Sequence, residues 1–321
     1  SSPVLSISKV LKILTFVLSS FSGGYFMKEF KDIQFISEVY EESKFKPKFY
    51  VVFLIAFSIY YFFSQIVSHF LFTTLRNNLN VTQLGFLYKL FEKFFVPNAS
   101  IYLVLILYIL LIEERKLSFL FLGFKDNFLS FTLKGVVLSS VLLFSLILVL
   151  IFKDYVISFK LNTEFVFANL IQLFMVLVFT YVKFFFLESF YRGWIFNILS
   201  ARYSIISSIF IASIVPVVVK FIEYQRIGIY LIYAFLFNVF LTLLFLVYKN
   251  IFIVIMFSTF YDFLKKYILS LESIYIDVQP VFYTVINNKE VYNIENSFYS
   301  VLVIILAILL MYVLYKCKPK I

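Results

Sequence analysis

Long apolar runs alternate with short charged clusters along the whole chain. Mostly apolar stretches lie near residues 50–72, 99–113, 133–152, 165–187, 204–222, 228–248, 251–270 and 299–316. A helix of about 20 residues crosses a hydrocarbon core of roughly 30 Å, and only the run at 99–113 is clearly short. The pattern predicts an all-α, polytopic integral membrane protein with about eight transmembrane helices. Residues 10–27 form a further apolar stretch, expected to be an uncleaved anchor or an interfacial helix.

The overall composition excludes a water-soluble fold. Of the 321 residues, 63% are hydrophobic and 14% are charged, whereas a soluble domain is about half apolar and a quarter charged. The bilayer must therefore be the solvent for most of this surface. The net charge of +10 is spread over short loops beside apolar runs, where basic residues set topology and meet anionic headgroups. We expect membrane lipids as partners, and no nucleic acid.

The basic residues also predict an orientation. If Lys316, Lys318 and Lys320 are cytoplasmic, counting back through the spans puts most of the 28 Lys and Arg residues on that side, as the positive-inside rule requires. Residues 271–298 then form an acidic outer loop. Many Phe, Ile, Lys, Tyr and Asn residues indicate AT-rich coding, which is typical of bacteria. The predicted location is the bacterial cytoplasmic (inner) membrane, with a cytoplasmic C-terminus.

Two opposite charges interrupt the aromatic sequence F-F-F-L-E-S-F-Y-R-G-W-I-F at residues 184–196. Glu188 and Arg192 are four residues apart, so on a helix they lie on one face and can pair. Each charge alone would cost a few kcal/mol at depth in a bilayer, and a pair near an interface costs less. By itself the pair fits either a structural ion pair or a functional site. The orientation above puts it at the cytoplasmic end of the run at 165–187.

The residues around this pair resemble the CPBP family, intramembrane proteases related to the type II CAAX prenyl endopeptidase and to bacterial Abi proteins. L-E-S-F-Y-R-G at 187–193 is similar to the family's E-E-x-x-x-R-G motif. S-S-I-F-I-A-S-I-V-P at 207–216 and K-N-I-F-I-V-I-M-F-S-T-F-Y-D at 249–262 resemble its second and third motifs. Residues 115–125 resemble the amphipathic stretch before the family core. The resemblance covers about 115–265 and implies a CAAX-protease-like helical core. From the order of the motifs we expect their three segments to pack together, with Glu188 near Ser258 or Asp262.

The chain departs from the family at the positions that carry catalysis. Leu187 stands where the family has the glutamate thought to activate water. The histidine of the second motif falls at Ile214 or Val215, and the histidine of the third falls at Ser258. The resemblance therefore implies a site without its general base and without both histidines.

Three motif positions keep their charged residues: Glu188, Arg192 and Asp262. Together with Ser258 they are the catalytic positions that the resemblance implies, and we interpret them as vestigial. Glu188 could act as a base only if Arg192 did not hold it. Ser258 and Asp262 share a helix face, but they lack the histidine or lysine that activates a serine.

The sequence predicts no metal and no cofactor. His69 is the only histidine, it lies outside every motif, and the single cysteine is Cys317 in the tail. Zinc sites need clusters of such ligands. Among the uncharged polar residues, Asn238 is expected to form an interhelical hydrogen bond.

These observations favour a catalytically degenerate CPBP-family membrane protein that acts as a scaffold, binding or regulatory subunit for another membrane protein. The alternative is an active intramembrane peptidase with a rearranged site using Glu188 and Asp262. A permease or transporter subunit is disfavoured, since no internal repeat is visible. A tight core around Glu188 would favour the scaffold or regulatory subunit. A water-filled cavity that reaches Glu188, Ser258 and Asp262 would favour the peptidase.

The predicted organisation has three parts. Residues 1–114 hold the N-terminal membrane segments, and residues 115–270 form the CPBP-like core with the degenerate motifs. Residues 271–321 comprise the acidic outer loop, the final span and the basic tail.

Overall fold

The computed structural model describes residues 47–78, 81–114, 117, 120, 128–153, 156–163, 167–224, 228–271, 279–286, 295 and 297–317. The predicted anchor at 10–27 lies outside the described residues. So do most of the amphipathic stretch at 115–125, most of the acidic loop at 271–298, and Lys318 and Lys320 of the tail.

Eight long helices form the described part of the chain, several of them as α-helical and π-helical segments in succession. Helix α1 comprises Phe49–Phe57, Ser58–Phe63 (π) and Ser64–Asn78, and α2 comprises Val81–Leu90, Phe91–Phe95 (π), Val96–Tyr108 and Ile109–Glu113 (π). Helix α3 is Phe128–Phe152, and α4 comprises Phe167–Glu188, Ser189–Phe196 (π) and Asn197–Ser200. Helix α5 is Ile205–Tyr224, α6 is Ile229–Tyr248, α7 comprises Ile251–Phe263 and Leu264–Ile268 (π), and α8 is Phe298–Cys317.

The length and apolarity of these helices confirm the prediction of an all-α membrane protein. Six described stretches could cross a bilayer: Phe49–Thr74, Gly85–Glu113, Leu129–Phe152, Asn169–Ser200, Ile205–Ile222 and Ile229–Tyr248. Helix α8 contributes a shorter apolar stretch, Phe298–Leu314. Large apolar side chains such as Leu54, Phe70 and Phe174 point out of the bundle, as expected where lipid is the solvent. The count of eight spans stays a prediction.

Helix α7 lies at the centre of the bundle. It packs against α3, α4 and α6, while α6 also packs against α5 and α8. Almost every residue of Ile251–Phe263 is buried, so this helix is apolar on all sides, as a helix surrounded by others must be. The motif-bearing segments of α4 and α7 are thereby brought into contact, as their order along the chain predicted.

A glycine allows α3 and α7 to approach closely. A Cβ atom added at Gly135 would lie 2.8 Å from the backbone oxygen of Ile253 and 2.8 Å from the Cβ atom of Met256. Small residues at such contacts let transmembrane helices pack backbone to backbone.

Gly135→Ala should therefore destabilise the protein by about 1–3 kcal/mol, because the added methyl group forces two packed helices apart. Gly228→Ala is the matched control, since an added Cβ at Gly228 meets nothing within 4 Å. Thermal unfolding of both variants in the same detergent measures the difference. Equal melting temperatures would show that α3 can shift without cost.

Two short strands are a feature that the all-α interpretation missed. Strand β1 (Val156–Leu161) pairs antiparallel with β2 (Phe282–Ile286), with Phe159 opposite Thr284. They connect the α3–α4 segment to the α7–α8 segment. The signal was the alternating sequence V-I-S-F-K-L, which fits a half-buried strand but is too short to stand out between long apolar runs.

Candidate functional site

Glu188 and Arg192 form a buried ion pair inside α4. Glu188 ends the first α-helical segment and Arg192 lies in the following π-helical segment. The Arg192 Nη1 atom donates to Glu188 Oε2 at 2.7 Å, and the two residues are only 2% and 3% exposed, respectively. Helix α4 continues to Ser200, so the pair lies inside the helix and not at its end. Its position at the cytoplasmic end of a span stays a prediction. The helix can continue because the two charges satisfy each other.

The pair is the centre of a hydrogen-bond network that joins three helices. Ser258 of α7 donates to Glu188 Oε1 at 3.0 Å, which confirms that the first and third motifs meet. The Arg192 Nη2 atom donates to Asn238 of α6, at 2.7 Å to Oδ1 and 3.1 Å to the backbone oxygen. Asn238 thus forms the interhelical hydrogen bond that was expected. Both carboxylate oxygens of Glu188 are occupied.

Asp262 belongs to a separate cluster of charges. Its Oδ1 atom lies 2.8 Å from Lys266 Nζ, and its Oδ2 atom lies 3.8 Å from Lys183 Nζ. Neither lysine is among the site residues that the sequence predicted. The spacing of Asp262 and Lys266, four residues apart on one helix, was an available signal for the first of these contacts.

A second buried ion pair joins α7 to the segment before α8. Lys265 Nζ lies 2.6 Å from Glu295 Oε1, with side chains that are 5% and 6% exposed. Beside it, the hydroxyl groups of Tyr233 and Tyr261 are 2.7 Å apart. Glu295 falls in the predicted acidic loop at 271–298, and its charge is buried beside Lys265, which neutralises it.

The R-G-W part of the first motif packs against the region before the core. A Cβ atom added at Gly193 would lie 2.8 Å from the backbone oxygen of Leu120. The Trp194 indole N–H donates to Glu113 Oε1 at 2.9 Å. Glycine at this position therefore permits a backbone contact that any other residue would obstruct.

A cavity of about 500 Å³ lies between the helices and reaches both charge clusters. Glu188, Arg192, Ser258 and Asp262 all line it. Cavities of this size are typical of sites for small ligands. Polar groups from the first and third motifs thus face one common space.

The apolar replacements in the motifs fall at or near this cavity. Leu187, at the position of the family's base, lines it directly. Val215, one of the two positions at which the second-motif histidine would fall, is buried and 1% exposed. His69 is exposed on α1 and does not line the cavity. Among the described residues, no group of three or more His, Cys, Asp or Glu side chains could hold a metal ion. The expectation that the protein uses no metal or cofactor stays a prediction.

Residues 168–264 match the family model described as type II CAAX prenyl endopeptidase Rce1-like. The matched segment begins in α4 and ends in α7, so it includes all three motifs and the network around Glu188. No curated protein and no solved structure matches the chain. This helical segment is therefore similar to the type II CAAX prenyl endopeptidase Rce1-like family, over about a third of the chain.

Proposed function

We propose that this protein is a catalytically degenerate member of the family, and that it acts as a binding or regulatory subunit for another membrane protein. One observation carries the proposal: both carboxylate oxygens of Glu188 are engaged, one by Arg192 and the other by Ser258. The glutamate that the motif retains is therefore committed to holding α4, α6 and α7 together. The proposed location is the bacterial cytoplasmic membrane, with a cytoplasmic C-terminus.

Peptide hydrolysis requires a positioned base and a group that stabilises the developing oxyanion. The base position is Leu187, which cannot accept a proton. Ser258 does donate to Glu188, but Arg192 lies 2.7 Å from the same carboxylate and stabilises its negative charge. Transfer of the serine proton to this carboxylate would leave the buried Arg192 charge without its counter-charge.

The second candidate is an active peptidase with a rearranged site, and the cavity is the observation that favours it. Glu188, Ser258 and Asp262 all line this space. Two ion pairs oppose the assignment, because Asp262 is held by Lys266 and Glu188 by Arg192. Either carboxylate would have to leave its partner before it could activate water.

A hydrolysis assay separates the two candidates. Purified protein should release no more product from prenylated or hydrophobic peptides than its Glu188→Gln variant does. The loss of even one acid–base group lowers a rate by about 10²–10⁴-fold, and three such positions are replaced here. Glu92→Gln is the matched control, because Glu92 is exposed on α2. Turnover that survives in Glu92→Gln and disappears in Glu188→Gln would establish the peptidase instead.

A further inference from the structure

The cavity has one open end and one closed end. Lys183, Lys220 and Tyr230 belong to its lining and are half-buried, whereas Arg192 and Leu241, which also line it, are both 2% exposed. We call the end at the first three residues the mouth, and the end at Arg192 and Leu241 the deep end. The lining is therefore more buried at the deep end than at the mouth.

Contacts between α4 and α7 fix the direction of the cavity in the bundle. Lys183 lies beside Asp262 at 3.8 Å, and Glu188 accepts from Ser258 at 3.0 Å. Since the residue number rises along α4 while it falls along α7, the two helices are antiparallel. The mouth therefore lies towards the beginning of α4 and the end of α7.

Helices α5 and α6 give the same direction. The Lys220 Nζ atom of α5 lies 5.2 Å from the centre of the Tyr230 ring of α6. About two turns further along α6, Asn238 accepts from Arg192 at the deep end. The mouth therefore lies where α5 ends and α6 begins.

The mouth and the C-terminal tail lie on opposite faces of the bundle. Lys265, near the end of α7, pairs with Glu295, which precedes α8. Helix α8 therefore begins at the level of the mouth, and its 20 residues carry the chain about 30 Å away from it. Helix α8 ends at Cys317, and Lys249, between α6 and α7, is exposed on that same opposite face.

The cavity is too narrow for a helix. Tyr230 and Leu241 are about 17 Å apart along α6 at 1.5 Å per residue. A volume of about 500 Å³ spread over that depth leaves a mean cross-section of about 30 Å². An α-helix with its side chains needs about 80–110 Å². A chain that reaches the deep end must therefore be extended.

Hydrogen-bonding side chains line the cavity along its depth. Tyr230, Tyr233 and Asn238 follow one another along α6 from the mouth inwards, and Asn98 of α2 lines the same space. An extended polypeptide offers such walls a donor and an acceptor in every residue. An acyl chain offers neither, so it would displace water from these walls without a compensating hydrogen bond.

We infer that the partner engages this protein from the membrane face opposite the C-terminal tail, by inserting an extended segment of its chain into the mouth of the cavity. In the proposed orientation the tail is cytoplasmic, so the inserted segment comes from the external side of the membrane. The inference rests on the proposed function for the existence of a partner. The side on which the mouth lies does not depend on it.

Thiol labelling of the full chain in intact bacterial spheroplasts tests the side of entry. Each variant carries a single cysteine in a Cys317→Ser background. Lys220→Cys lies at the mouth, Leu187→Cys lies inside the cavity, and Lys249→Cys is the matched control on the opposite face. A membrane-impermeant maleimide should label the first two in intact spheroplasts and the third only after the membrane is opened.

Each other pattern of labelling contradicts a definite part of the inference. Labelling of Lys220→Cys and Lys249→Cys from the same side would overturn a mouth opposite the tail. Labelling of Lys249→Cys alone in intact spheroplasts would overturn entry from outside together with the proposed orientation. Labelling of Lys220→Cys without Leu187→Cys would overturn insertion into the cavity. Peptide hydrolysis by the unmodified protein would contradict the proposed function and leave the side of the mouth unchanged.

Two peptides with a terminal maleimide test the extended conformation. One is a helical Glu-Ala-Ala-Ala-Lys repeat and the other is a flexible Gly/Ser-rich chain of the same length. Both should label Lys220→Cys, and only the flexible peptide should label Leu241→Cys at the deep end. Equal labelling of Leu241→Cys by both peptides would overturn the requirement for an extended segment. Labelling of Leu241→Cys by a small maleimide alone, or by no reagent, would overturn a polypeptide as the occupant.

Discussion

Replacement of Arg192 by leucine should destabilise the protein by about 3–5 kcal/mol, the cost of leaving a buried carboxylate without its counter-charge. Glu188 is 3% exposed, and in the variant it would keep only the hydrogen bond from Ser258. The substitution also removes the donors to Asn238, so the hydrogen bonds between Arg192 of α4 and Asn238 of α6 are lost. Thermal unfolding in detergent measures the change.

Glu188→Gln should be milder than Arg192→Leu. Glutamine has a similar shape and can still accept from Arg192, which also keeps both of its acceptors on Asn238. The double variant Glu188→Gln with Arg192→Leu should be more stable than Arg192→Leu alone, because it no longer buries an unpaired carboxylate. The coupling free energy between the two substitutions should be about 0.5–3 kcal/mol. Arg202→Leu, at an exposed position, is the control and should change stability by less than about 0.5 kcal/mol. Equal tolerance of all these changes would mean that the pair contributes nothing to the fold.

Lys265→Met should cost about 3–5 kcal/mol for the same physical reason. The Lys265 Nζ atom lies 2.6 Å from Glu295, and both side chains are almost fully buried. Methionine preserves the length of the side chain but leaves the Glu295 charge uncompensated. The expected result is a lower melting temperature together with weaker attachment of the segment before α8, which proteolysis near residue 295 would detect.

The double variant Lys265→Met with Glu295→Leu should recover most of this loss, since an apolar pair of similar volume often replaces a buried ion pair without cost. Lys153→Met, at an exposed position, is the matched control. A double variant as unstable as Lys265→Met alone would show that the lysine acts through contacts other than Glu295.

The helices of this protein could be predicted from the apolar runs, because the bilayer imposes one length and one polarity on any segment that crosses it. The pairing of Glu188 with Arg192 could be predicted as well. A spacing of four residues decides proximity within one helix, and the π-helical turn around Arg192 does not separate the two charges. The order of the three motifs also indicated that Ser258 would lie near Glu188.

The end of helix α4 could not be predicted from the apolar runs. Helix α4 continues past Glu188 to Ser200, although charged residues usually mark the membrane boundary. A hydropathy pattern predicts that a charged residue is exposed. Whether the residue is buried depends on its interaction partners, which lie on other helices or in other turns. For the same reason, the acidic composition of residues 271–298 gave no sign that Glu295 is buried beside Lys265.

By itself, the sequence determined that the protein lies in a membrane and where most of its helices run. It also determined the motifs that resemble the family and the contacts between residues one helical turn apart. Each of these features depends on local composition or local spacing. The tertiary structure alone decided that Asn238 holds Arg192, that Lys265 neutralises Glu295, and that both ion pairs line the same cavity. These arrangements depend on how separate helices rotate and pack against one another. No periodicity along the chain encodes that rotation, since it follows from the close packing of side chains in the whole bundle.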